Sequence, residues 1–316
     1  MTGAIATHTL FPQTQNIRST QPIESGIQFT TTTGSQWRIS VTKAPILNAE
    51  QMDQLTSSKN LQVPYPEMFF GFNKLTMSNE ATSGVVVDFS AVDALQCVEF
   101  GSTEAMDSVK VAFSKEWTEK SEKLHGKIKQ IAKPYDWTYT PKKYSGSVKG
   151  PQQFTTTESK IDVEMLKRND PILWYDEVVL YEDELGDNGS CTLTARVRVM
   201  PTCFLILLRY FLRVDGVLFR VHDTRLFHAF HSTTVIRETS TRECSYDRVL
   251  GKVPGGAGVF SGGANSSGRD LSLLNKGDWV AQGMPDPLYL EGSGKGVADG
   301  VTMSVERDEL SLVVKK

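Results

Sequence analysis

The sequence predicts an α+β fold that is mostly β: a two-layer antiparallel β-sandwich with a few flanking helices. Residues 192–199 alternate strictly between apolar and polar side chains, which is typical of a half-buried strand. Asp215-Gly216 separates two long apolar runs and predicts a β-hairpin. Further strand-like runs follow one another with short turns, and this succession indicates antiparallel sheets packed on each other.

The first half of the core predicts short strands and helices. Asn48, with Gln51 three residues later, has the pattern of a capping box and predicts a helix. Ser90 as the N-cap and Asp93 at the third helical position predict a helical turn. Apolar residues at helical spacing predict one more helix before Pro134: Trp117, Leu124, Ile128 and Ile131. The predicted strands are 35–43, 74–77 and 84–89.

Residues 133–140, KPYDWTYT, carry aromatic side chains at alternating positions and predict a strand. One face of that strand would hold Tyr135, Trp137 and Tyr139, and the other Asp136, Thr138 and Thr140. Two interpretations stay open. The aromatic face packs on the core as in an ordinary strand, or the polar face forms the wall of a binding surface.

The second half predicts long strands, with the Asp215-Gly216 hairpin at its centre. A turn is predicted at 186–189, GDNG, because Asn-Gly favours turns. The predicted strands are 172–185, 192–199, 203–214, 217–228 and 233–238.

Composition divides the chain of 316 residues into three parts. Residues 1–33 are rich in Thr, Ser, Gln and Pro and predict a flexible N-terminal arm. Residues 251–316 contain glycine-rich stretches and predict a mostly disordered tail. The core between them, 34–250, is long enough to bury a substantial interior.

Charge and hydropathy narrow the classes of partner. The net charge of −3 provides no cationic field for nucleic acid. The most apolar run, 203–212, is too short to cross a membrane and contains Arg209. We therefore expect neither nucleic acid nor a membrane among the partners.

The charged residues of the second half are segregated by sign. Residues 161–187 contain nine acidic side chains, and residues 196–225 contain six arginines and no lysine. One interpretation pairs the two segments as cross-strand partners, and the other makes them a polar groove for a charged peptide. Arg209 and Arg213 lie on one face of an otherwise apolar strand, so each needs a partner, either an internal carboxylate or a ligand.

The sequence contains no clear catalytic or metal-binding constellation. His228 and His231 would point to opposite faces of a strand, which disfavours a shared metal ion. The four cysteines have no zinc-type spacing, and no G-x-S-x-G nucleophile elbow is present. We expect a protein without enzymatic activity, metal or cofactor.

Several long motifs occur in one order over roughly 35–245 and carry a resemblance to a known family. They are PEMFFGFNKL (66–75), FSAVDAL (89–95), KPYDWTYT (133–140), YSG (144–146), DEVVLYEDELGDNG (176–189), RVMPTCFLILLRYFLRVDGVLFRVHDTRLFH (198–228) and RETSTRE (237–243). In these motifs the chain resembles the Tip-forty-one-like (TIPRL) family.

The resemblance implies a non-catalytic regulator with a β-sandwich fold. Members of the family bind the catalytic subunits of type 2A-class Ser/Thr phosphatases and act in TOR signalling, and a groove takes the phosphatase's C-terminal tail. It further implies that the protein modulates phosphatase activity or assembly in the cytoplasm and nucleus. Phosphatase chaperones of the alpha-four type are implied as additional partners. The alternative is a general β-sandwich scaffold that binds peptides of other partners.

The candidate partner-binding residues combine the family motifs with the charged strands. They are Asp93, Tyr135, Asp136, Trp137, Arg209, Arg213, Asp223 and Arg225. The resemblance associates the aspartate of the F-x-A-x-D-A-L motif, here Asp93, with phosphatase binding. Its position equally predicts a helix-capping carboxylate. For Asp223 and Arg225 the alternative is a structural pair on one strand face.

Overall fold

Two large antiparallel sheets dominate the computed structural model, which confirms the predicted α+β, mostly-β class. The structure describes residues 3–11, 22–59, 61, 63–79, 84–99, 137–254, 269–287, 290 and 292–312. Among them, no helix is long and apolar enough to cross a membrane.

Sheet 1 comes from the N-terminal part of the chain, and its described strands run in the order β1-β2-β3-β5-β6-β7. They are β1 (Ile5–Phe11), β2 (Ile23–Thr31), β3 (Gln36–Lys43), β5 (Lys74–Asn79), β6 (Val85–Ser90) and β7 (Ser147–Lys149). Sheet 2 runs in the order β14-β15-β13-β12-β11-β10-β9-β4, and β8 pairs with β15. Its strands are β4 (Met68–Phe69), β8 (Thr155–Thr156), β9 (Trp174–Asp183), β10 (Gly189–Val199), β11 (Cys203–Val214), β12 (Leu218–Ala229), β13 (Thr234–Ser245), β14 (Gly294–Ala298) and β15 (Val301–Ser311).

Short helices join or cover the sheets. They are α1 (Ala49–Lys59), α2 (Ala91–Gln96), α3 (Val163–Lys167), α4 (Tyr246–Leu250), the 3₁₀ helix η1 (Leu271–Asn275) and α5 (Gly277–Gln282). The predicted capping box of α1 is confirmed, because the Asn48 amide donates to Gln51 Oε1 at 3.0 Å and the Gln51 amide donates to Asn48 Oδ1 at 2.9 Å. The predicted helix with Trp117 and Ile131 lies outside the described residues.

The main core lies between the inner faces of the two sheets. Ile27 and Ile39 of sheet 1 belong to one buried apolar cluster together with Leu193 and Ile206 of sheet 2. The strict alternation predicted for β10 is confirmed, since Leu193 is fully buried and its neighbours Thr192 and Thr194 are half-buried on the opposite face. Burial of the apolar side chains in this interior is the main stabilising contribution to the fold.

The outer face of sheet 2 has apolar clusters of its own near both ends. At one end Phe211 and Val221 pack under Leu274 and Val280, which η1 and α5 supply. At the other end Cys203 and Phe227 form a cluster with Ile161, against which Met165 and Leu166 of α3 pack. Cover on both faces explains why β11 is nearly continuous in apolar residues, as strands buried on both sides are.

The predicted boundaries of the two arms are wrong in part. Residues 23–31 form β2, whose Ile27 and Phe29 are buried, so this stretch is integral to sheet 1. Within the predicted disordered tail, Val301, Met303 and Val305 are buried on β15, which pairs with β13 in the interior of sheet 2. Residues 12–21 and 255–268 lie outside the described part. The predictions failed because polar and glycine-rich neighbours hid two strands that long-range pairing stabilises.

The predicted strand over 133–140 is also wrong where it is described. Residues 137–140 form a turn and an irregular stretch, and Tyr139 has a φ of 55°. The supposed polar face is buried, with Thr138 at 0% exposure and Thr140 at 1%. The Tyr210 hydroxyl donates to the Thr138 carbonyl at 2.5 Å, and that of Tyr181 donates to the Tyr139 carbonyl at 2.8 Å. Residues 137–140 are therefore part of the interior, where they are hydrogen-bonded to sheet 2. Their polar side chains do not form the wall of a binding surface.

Candidate partner-binding surfaces

Asp223 is the centre of a buried arginine cluster on the outer face of sheet 2. Its carboxylate is completely buried. Arg209, directly opposite on β11, donates from Nε at 2.7 Å and from Nη2 at 2.8 Å. Arg225 on β12 donates at 2.9 Å and Arg242 on β13 at 2.7 Å. One carboxylate thus ties together three neighbouring strands.

These bonds answer the question of which partner Arg209 has. Burial alone would raise the pKa of the Asp223 carboxyl, but the charges of Arg209 and Arg225 outweigh it and hold that pKa well below its usual range. The carboxylate therefore stays ionised and forms ion pairs with the three buried guanidinium groups. The pairing of Asp223 with Arg225 on one strand face, given above as the alternative, is present.

A second carboxylate, Asp278 of α5, joins the arginine cluster from the covering segment. Its Oδ2 accepts from Arg196 Nη1 at 2.6 Å, and its Oδ1 accepts from Arg209 Nη1 at 2.5 Å. Burial would raise the pKa of Asp278, but the hydrogen bond and charge of Arg196, with those of Arg209, lower it. Arg213, the other arginine singled out on β11, lies 2.8 Å from Asp215 and contacts Asn275 of η1.

Beside these groups a cleft of about 440 Å³ opens between β10, β11 and α5. Its floor and walls combine hydroxyl, cationic and aromatic side chains. They are Thr192, Thr194, Arg196, Arg209, Phe211, Lys276, Gly277, Asp278, Trp279 and Gln282.

Asp93 lies at the junction of β6 and α2, on the edge of sheet 1. Ser90 is the N-cap of α2, and its Oγ accepts from the Asp93 amide at 3.1 Å, as predicted. The Asp93 carboxylate does not complete a capping box, however. Its Oδ2 accepts from Ser147 Oγ at 2.6 Å, and the Ser90 amide donates to the Tyr144 hydroxyl at 2.8 Å. Asp93 is half-buried, so its carboxylate faces both β7 and solvent.

The predicted aromatic wall is only partly described. Tyr135 and Asp136 lie outside the described residues. Trp137 is half-buried and packs against the main core.

Of the predicted partner-binding residues, the structure brings Arg209, Asp223 and Arg225 together in one cluster. Asp93 and Trp137 lie outside this cluster. The sequence interpretation did not single out Arg242 and Asp278, which complete the cluster. Arg242 lies on a strand predicted to end at 238, and Asp278 lies in the segment predicted to be disordered. An Asp-Trp pair inside a short apolar run, 278–281, was the available signal for an ordered element.

His228 is buried among aromatic side chains and has a structural role. His228 is 1% exposed, its ring lies 4.8 Å from that of Trp37, and its Nδ1 is 2.9 Å from the Thr234 carbonyl. Burial lowers the pKa of His228 to about 4. In the part of the chain that the structure describes, no three His, Cys, Asp or Glu side chains are grouped so as to hold a metal ion.

Comparisons with known proteins assign the sequence to a family. The model of the TIP41-like family matches residues 68–250, more than half of the chain. A human TIP41-like protein is 39% identical over 219 residues, which cover 68% of this chain and 76% of that protein. The type 2A phosphatase activator TIP41 of Saccharomyces cerevisiae is 32% identical over 283 residues, 85% of this chain and 74% of its own length. On these matches, the chain belongs to the TIP41-like family.

Proposed function

We propose that this protein is a non-catalytic regulator that binds the catalytic subunit of type 2A-class Ser/Thr phosphatases and modulates their activity or assembly. One observation carries the proposal: a relative matching 85% of the chain is named a type 2A phosphatase activator. A second relative with that name, from Schizosaccharomyces pombe, is 30% identical over 78% of this chain and 90% of its own length.

We propose the central trough of sheet 2 as the docking site for the phosphatase's C-terminal tail. The trough is the outer face between the cover of α3 and that of α5, with the half-buried Leu207 and Arg225 at its surface and the buried Arg209, Asp223 and Ser240 beneath them. Arg225 donates to Ser240 and Asp223, and its side chain is 11% exposed, so its guanidinium is held in a fixed orientation just below the surface. A preorganised guanidinium is suited to carboxylates and backbone carbonyls of an extended peptide.

Asp93 is proposed as part of a second contact on the edge of sheet 1. Its bond from Ser147 fixes the carboxylate, and half-burial leaves it accessible to a cation of the partner. The proposal includes a cytoplasmic and nuclear protein that acts in TOR signalling, with phosphatase chaperones of the alpha-four type as additional partners.

The decisive experiment is purification of the tagged full chain from a matching lysate, with the co-purified proteins identified by mass spectrometry. A type 2A-class catalytic subunit at near-stoichiometric amount is the expected result. Its absence would contradict the proposed function. An unrelated acidic peptide that binds as tightly as the phosphatase tail would favour the alternative, a general peptide-binding scaffold.

Asp93→Leu tests the second contact. We expect capture of the catalytic subunit to fall more than about tenfold, since removal of an interface hot spot costs about 2 kcal/mol or more. Ser147→Ala is the matched control, because it removes the internal hydrogen bond and keeps the carboxylate. Equal losses of capture in the two variants, together with equally lowered melting temperatures, would make Asp93 a structural residue.

A further inference from the structure

The cleft beside α5 contains more hydrogen-bond donors than its own chain satisfies. The hydroxyls of Thr192 and Thr194 have no hydrogen-bond partner within the described ranges, and Lys276 is exposed and forms no ion pair there. Gln282 is exposed at the same opening. Threonine hydroxyls, an ammonium group and a primary amide are all groups that donate to oxyanions.

The charge of the lining points the same way. Three cationic side chains, Arg196, Arg209 and Lys276, line the cleft together with the carboxylate of Asp278. Outside the lining, Arg209 is also bonded to Asp223 and Arg196 lies 3.5 Å from Glu177, so Lys276 is the lining cation that has no ion pair among the described residues. Arg209 is only 8% exposed, so it is a fixed, desolvated donor at the floor. Bonds to such desolvated, ionised donors are stronger than bonds between neutral groups.

Asp278 occupies the position that an external oxyanion would take. Its two oxygens bridge the Nη1 atoms of Arg196 and Arg209 at 2.6 Å and 2.5 Å. Its side chain is 49% exposed, so rotation about its own bonds can free the Nη1 donors of Arg196 and Arg209, while Arg209 stays bonded to Asp223. Val280 and Ala281 of the same helix are buried and hold α5 in place while the carboxylate leaves.

From this geometry we propose that the cleft is an oxyanion subsite for an acidic side chain of a bound peptide, with Asp278 as the internal competitor. The shared chemistry of the ligand is a carboxylate or phosphoryl group. This inference rests on the proposed function in one respect: the peptide would belong to the partner phosphatase. The oxyanion chemistry of the cleft does not depend on which protein supplies the peptide. The cleft extends the central trough on the side of β10.

The subsite can be tested on the isolated full chain, without any phosphatase. The probes are a fluorescent peptide with two glutamates, its glutamine counterpart, and the same peptide with one phosphoserine, measured by anisotropy at low ionic strength. The wild type should bind the glutamate peptide weakly and Asp278→Asn about tenfold more tightly, which is about 1.4 kcal/mol. Tighter binding of the phosphoserine peptide would identify a phosphoryl group as the preferred oxyanion, and tighter binding of the glutamate peptide a carboxylate.

Lys276→Gln and Lys295→Gln form a matched pair of exposed lysines, one in the cleft and one on β14. We expect Lys276→Gln to weaken binding about fivefold relative to Lys295→Gln. Asp278→Asn that binds no more tightly than the wild type would overturn the inference, as would equal binding by the two lysine variants. Should Asp278→Asn unfold, the lysine pair decides alone, since neither lysine is buried. Because no phosphatase is present in this assay, a negative result would contradict the oxyanion subsite without contradicting the proposed phosphatase binding, which co-purification tests separately.

Discussion

At the residue scale, the clearest feature is a fully buried carboxylate that pairs with three arginines. Arg209, Arg225 and Arg242 all donate to Asp223, and each comes from a different strand. A buried ion pair adds little net stability when it is complete, because desolvation offsets the Coulomb attraction. Removal of one partner is costly, because the remaining charges stay buried.

Asp223→Asn should therefore destabilise the fold by about 3–5 kcal/mol. The amide removes the shared counter-ion of three guanidinium groups, of which Arg209 keeps a second carboxylate, that of Asp278. Urea unfolding followed by circular dichroism measures the free energy of unfolding. Asp215→Asn, at the exposed partner of Arg213, is the control and should cost less than about 1 kcal/mol. Equal effects of the two substitutions would contradict the buried-cluster interpretation.

His228 predicts how stability depends on pH. Its pKa falls from 6.5 in the unfolded chain to about 4 in the folded protein, because burial disfavours the imidazolium. Between these values the unfolded state binds a proton that the folded state does not. His228 should thus contribute a decrease of up to about 3 kcal/mol in the free energy of unfolding as pH falls from 6.5 towards 4. His222, whose pKa burial lowers to about 3, adds a decrease of the same sign.

His228→Phe tests this dependence, since phenylalanine keeps an aromatic ring beside Trp37 and Phe204. The decrease of stability between pH 6.5 and 4 should become shallower in this variant, whatever its stability at pH 7. His231→Gln, at an exposed position in the next turn, should retain the wild-type slope. An unchanged slope in His228→Phe would rule out His228 as the origin.

At the scale of elements, local signals were sufficient for some strands and insufficient for others. The hairpin of β11 and β12 was predictable because Asp215-Gly216 and the flanking apolar runs are contiguous in sequence. It closes as predicted, with Gly216 at a φ of 68°. The stretch 137–140 was not predictable, because its conformation depends on hydrogen bonds to Tyr181 and Tyr210, 42 and 72 residues away.

The same distinction applies to the candidate site. Asp223 and Arg225 could be placed on one strand face from the period of two residues. Arg242 and Asp278 could not, because they reach the cluster through strand order and through the docking of a separate short helix. A single sequence contains no local pattern for such contacts.

At the scale of the whole molecule, segments on both sides of the family match belong to the fold, namely 5–11, 23–31 and 301–311. The N-terminal segment supplies β1 and β2 of sheet 1, and the C-terminal segment supplies β15, which pairs with β13 along ten residues from Thr234 to Glu243. The family match, 68–250, contains neither end. The segment that matches the family model is therefore not a complete folding unit by itself.

A chain truncated after residue 250 should consequently fail to fold stably. It would lose the partner of β13 and expose the apolar cluster around Phe211 and Val221, which Leu274 and Val280 cover. Exposed strand edges and apolar patches promote aggregation. Size-exclusion chromatography and thermal unfolding should show aggregation and a lost cooperative transition. A monomeric, cooperatively folded fragment would contradict the assignment of β15 to the core.

The Asp223 cluster has one further consequence, for the accuracy of folding. Strand β11 is long and nearly continuous in apolar residues, so a shifted alignment of this strand with its neighbours would bury a similar amount of hydrocarbon. A slip of one residue in β11 would turn Arg209 from the outer face into the interior between the sheets. The unpaired guanidinium makes such misaligned states costly. We infer that the cluster selects the correct strand alignment, so that its contribution lies in the exclusion of wrong topologies more than in added stability.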